Sequence, residues 1–122
     1  PVMDLLRQAD LGCVLMPVVV TSGDMETQDG GYYRVPKRDL IVGLQVLLQQ
    51  EKLQIAAGLR YSEALLEEMS GMRVRTTQTG YEQFGVWREG QHDDLVFAVA
   101  LACWGVGKLW PGNGPEYMLF RL

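Results

Sequence analysis

The chain is poor in the side chains from which many catalytic and metal centres are built. Its 122 residues include one histidine and two cysteines. His92 alone cannot furnish a multi-histidine metal site. Cys13 and Cys103 form no CxxC pair and have no histidine cluster near them, which argues against zinc. A Ser-His-Asp arrangement has no Gly-x-Ser-x-Gly turn to support it, and no GxxxxGK[ST] phosphate loop occurs. Acidic residues outnumber basic ones, 15 to 11. The net charge of -4 argues against broad electrostatic attraction to nucleic acid. It leaves room for a nucleic-acid enzyme, because metal-binding carboxylates add negative charge that bound cations offset. No signal peptide is visible, and the longest apolar run, Leu95 to Trp104, is too short to span a bilayer. Both cysteines lie in apolar segments and read as reduced core thiols, the pattern of a cytoplasmic protein.

What is present is ordinary globular material, 48% hydrophobic and 21% charged. The length suits one domain, or part of one. The opening Pro1-Val-Met-Asp-Leu-Leu fits a domain start after loss of the initiator methionine, and equally a piece of a longer protein.

Along the chain, Val2, Leu5, Leu6 and Ala9 predict a short amphipathic helix near residues 1–10. Val14–Val20 is continuously apolar and reads as a strand covered on both faces, with Pro17 implying a bulge or a place near the edge. Ser22–Tyr33 reads as a loop with a turn at Asp29-Gly30-Gly31. Val35-Pro36 precedes a helix whose stripe is Leu40, Ile41, Leu44, Leu47 and Leu48. Leu53–Ala56 alternates as a short strand. Ser62 begins another helix, with Leu65, Leu66 and Met69 apolar and Glu63, Glu67 and Glu68 as an exposed acidic row. Met72–Thr77 and Tyr81–Trp87 flank Thr79-Gly80 as a hairpin. The order predicts an α/β fold, a mixed β-sheet flanked by helices. Residues 1–106 form the expected domain, and 107–122 an extended or poorly ordered tail.

The sharpest local feature is His92-Asp93-Asp94 immediately before LVFAVALACW. A helix that apolar is expected to be buried on nearly all sides. Two readings of the acidic pair stand. Asp is a favoured N-cap and suits the first turn of a helix. Alternatively, two carboxylates fixed at the mouth of a rigid element present oxygens to a divalent cation.

VPKRDLIVGLQVLLQQEKLQIA, the helix ending in EALLEEM, and the hairpin running into FGVWREGQHDDLVFAVALACW together resemble the nuclease domain of large terminase subunits, the DNA-packaging motors of tailed phages and prophages. The resemblance covers about residues 1–106. It implies a partial ribonuclease-H-like fold and an endonuclease that uses Mg²⁺ or Mn²⁺ in the host cytoplasm. Double-stranded DNA and the ATPase domain of the same terminase are the implied partners. In such centres two metals about 4 Å apart clamp the attacking water and the leaving oxygen. The last acidic ligand maps onto Asp94 or Asp93, with His92 supporting.

The family's earlier acidic ligands would precede Pro1, so the chain alone is expected not to cut DNA efficiently. Asp10, Asp24, Glu26, Asp29 and Glu89 are acids that would have to replace them.

Lys37 and Arg38 sit where a helix dipole disfavours cations, which points to phosphate contacts or to a solvated surface. Arg73 and Arg75 alternate on the hairpin, with Arg88 near its end, and would track a DNA backbone or pair with surface glutamates. The competing functions are a non-enzymatic prophage remnant or self-associating module, which an unpaired strand edge would favour, and another ribonuclease-H-like nuclease such as a resolvase.

Overall fold

A computed structural model describes residues 1–76, 82–85 and 92–110, with the backbone alone described in 73–76 and 82–85. The protein is mixed α/β. Its elements are α1 (Val2–Gln8), β1 (Val18–Thr21), β2 (Thr27–Asp29), β3 (Tyr32–Pro36), α2 (Lys37–Gln49), α3 (Ser62–Gly71), β4 (Arg73–Thr76), β5 (Glu82–Gly85) and α4 (Asp94–Leu109). They fall into two compact units, Pro1–Pro36 and Lys37–Leu122.

The first unit holds a three-stranded mixed sheet in the order β1-β3-β2. Contrary to the loop expected over Ser22–Tyr33, β2 and β3 form an antiparallel hairpin, with Asp29 opposite Tyr32. The connection is Gly30-Gly31, whose φ values of 58° and 82° suit a two-residue primed turn with the right twist for a hairpin. The strand expected over Val14–Val20 is confined to Val18–Thr21 and runs parallel to β3, Val18 opposite Tyr33. Pro17 lies just before it, so its missing N–H removes no ladder bond, while its carbonyl accepts the Tyr33 N–H at 2.9 Å. β1 is an edge strand, and Val19 and Val20 are exposed rather than covered on both faces. Cys13 is exposed too, not a core thiol, because it precedes the sheet in an irregular segment.

In the second unit the α2 stripe is as the periodicity predicts, with Leu40, Ile41 and Leu44 buried and Leu47 and Leu48 half-buried. α2 ends in a Schellman arrangement. Lys52 N–H reaches the Leu47 carbonyl (2.9 Å), Glu51 N–H reaches that of Leu48 (3.1 Å), and Glu51 takes the left-handed φ of 58°. Leu53–Ala56, expected as a strand, is irregular: Leu53 is buried, but the segment has no strand partner among the described residues. In α3 the buried Ser62 is satisfied, its Oγ donating to the Leu59 carbonyl at 3.0 Å. β4 and β5 pair antiparallel, with Val74 opposite Phe84, as the alternating pattern predicts. The turn between them lies outside the described residues.

α4 packs against both α2 and α3. It is not buried all round. Val96, Ala100 and Cys103 form one buried stripe at i, i+4 and i+7, while Ala98 and Ala102 are exposed. Two neighbouring helices cover only part of a helical circumference, so small apolar residues are left at the surface. Burial pushes the Cys103 thiol above its ordinary value by desolvation. Gly105 lies within α4, and Gly107–Leu109, expected to begin the tail, complete its last turn. The backbone ladder carries through both glycines at a cost of about 1 kcal/mol each relative to alanine. Residues 111–122 lie outside the described residues. No described helix is long and apolar enough to cross a membrane.

Candidate functional site

The N-terminal turn of α4 is where three helices of the second unit meet. Asp93 occupies the N-cap position, yet its carboxylate accepts no hydrogen bond from the helix amides. Capping alone therefore does not account for it. The N–H of the buried Val96, third residue of α4, donates instead to Oε2 of Glu68 on α3 at 3.0 Å. A carboxylate from another helix thus does the work usually done by the N-cap side chain, and complements the positive end of the α4 dipole.

Asp93 is free to look sideways. Its Oδ2 lies 3.6 Å from Nζ of Lys37, the first residue of α2, and that ammonium also sits 4.5 Å from the centre of the Phe97 ring. The two charged side chains are each about one-third exposed, 36% and 31%. Solvent therefore screens the pair, which contributes at most about 1 kcal/mol, and the cation–π contact adds about 0.5–1 kcal/mol. The sum is small but directional. It fixes the first residue of α2 to the first turn of α4. It also explains a cation where the α2 dipole disfavours one, since Asp93 and Phe97 offset the penalty.

Asp94, the first residue of α4, is exposed, as is His92. The structure thus gives the acidic pair two environments, one carboxylate engaged by Lys37 and one facing solvent. Among the other residues singled out, Arg38 places Nε 3.7 Å from its neighbour Asp39. Arg73 and Arg75 take alternate positions of β4, opposite Gly85 and Gln83. Arg88 and Glu89 lie outside the described residues. Asp10, Asp24 and Asp29 are exposed and Glu26 half-buried, all in the first unit.

Sequence reasoning missed Glu68, which it placed in a solvated acidic row. The signal was available: Glu68 stands three residues after the buried Leu65, on the same side of α3. Phe97 was likewise read only as part of an apolar run.

Mg²⁺ and Mn²⁺ ask for about six hard oxygen ligands, several of which can be water. The described residues include no group of three or more His, Cys, Asp or Glu side chains arranged to hold a metal ion. Asp93 and Asp94 supply two carboxylates on adjacent residues, one of them held by an ammonium, and do not by themselves make a divalent-cation centre. Compared with protein-family models, curated proteins and solved structures, the chain gives no match.

Proposed function

We propose that this chain contributes the acidic first turn of α4 to a metal-dependent DNA endonuclease centre of the terminase large-subunit kind, completed by the acidic groups that such a domain carries on its earlier strands. The observation that carries this reading is the bracing of that turn. Glu68 holds it from α3 and Lys37 holds it from α2, while the Asp94 carboxylate stays exposed at the start of α4. A carboxylate on a braced helix start suits a cation-dependent centre, where small displacements of a ligand are costly. Asp94 is the residue assigned to the cation. Asp93, already paired with Lys37, orients the turn.

The test is cleavage of plasmid DNA in Mg²⁺ or Mn²⁺ by the longest natural protein that contains this chain. Asp94→Asn is expected to abolish cutting with helix content unchanged by circular dichroism, and Asp93→Asn to reduce it. Wild-type cutting by both variants would overturn the assignment. The 122-residue chain by itself is expected to cleave poorly, and efficient cleavage by it would show that the acidic set is complete within it.

A second reading, a self-associating module, is favoured by one specific observation. Among the described residues β1 pairs with β3 on one side only, and its sequence Val-Val-Val-Thr carries no charge to discourage another strand. Light scattering behind size-exclusion chromatography distinguishes it: a concentration-dependent dimer lost in Val19→Lys supports this reading, and a monomer at every concentration ends it.

A further inference from the structure

We draw no further inference here: the strongest candidate, the exposed apolar surface patch of the first unit made by Val2, Leu5 and Leu6 on α1 with Leu11 and Val14 after it, carries nothing because nothing in the structure shows what covers it.

Discussion

In the unit Pro1–Pro36 the buried residues are Val35 and Pro36, at its very end, whereas Lys37–Leu122 buries Leu40, Leu44, Leu53, Leu65, Val96, Ala100 and Cys103. The first unit has its apolar side chains in view: Val2, Val14 and Met25 are 68%, 70% and 78% exposed, and α1 buries none of its residues. What orders that unit is backbone hydrogen bonding in a small sheet and one tight turn. What orders the second is helix-on-helix packing. The contrast teaches where stability resides, because apolar burial contributes about 25 cal/mol per Å² while a backbone hydrogen bond adds only about 1 kcal/mol net.

The largest expected effect tests that contrast directly. Leu40, 1% exposed, opens the α2 stripe, and Leu40→Ala is expected to lower unfolding stability by about 2–5 kcal/mol in urea melts. Val19→Ala on β1, 40% exposed, should cost under about 1 kcal/mol. Equal losses at the two positions would break the comparison.

Next comes the brace between α3 and α4. Glu68→Ala leaves the Val96 N–H without its charged acceptor, and a loss of about 1–2 kcal/mol is expected. Hydrogen exchange sharpens the point, since the amides of the first α4 turn should exchange faster while those of α2 keep their protection. Unchanged exchange at Val96 would remove Glu68 from its place as the cap.

Two glycines separate turn-held from packing-held order at smaller magnitude. A Cβ at Gly31 would meet no atom within 4 Å, so Gly31→Ala is penalised only through its φ of 82°, by about 1 kcal/mol. Gly43, on the exposed side of α2, is equally open, and Gly43→Ala should stabilise by about 0.5–1 kcal/mol through helix propensity. Opposite signs in thermal melts are the expected result. Destabilisation by both would mean that space, not backbone conformation, governs these sites.

The smallest effect is a pH dependence. Burial raises the Cys103 thiol in the folded chain, so the unfolded thiol ionises first as pH rises. Its contribution to stability is complete below the unfolded thiol value, about 8.5, and fades as pH climbs through the higher folded value. Cys103→Ala should flatten the alkaline fall in stability relative to the native chain. Thiol alkylation gives a parallel check: the exposed Cys13 should react under native conditions, and Cys103 only after unfolding.

The legible parts of the fold are those in which near neighbours along the chain decide the outcome. The i, i+3, i+4 recurrence from Leu40 to Leu48 marks both the span and the buried side of α2. Ser62 marks the start of α3, and the alternation around Thr79-Gly80 marks β4 and β5. The Asp29-Gly30-Gly31 turn was visible, yet the polar TQD before it disguised β2, because a short edge strand needs little apolar character. The candidate site was half legible. The acidic pair stood out, but Lys37, which engages Asp93, and Glu68, which accepts the Val96 N–H, lie 56 and 25 residues before Asp93 in the chain.

The sequence by itself determined the helical stripes, the turn chemistry and the two aspartates before α4, all set by spacing within a few residues. Only the tertiary structure decided that β1 passes over β2 to pair with β3, that α4 keeps one buried stripe, and that Glu68 caps α4 while Lys37 engages Asp93. The physical reason is distance along the chain. Local torsions and periodicity are written in neighbouring residues, whereas strand pairing and interhelical charge contacts depend on which remote segments the packed core brings within a few ångströms.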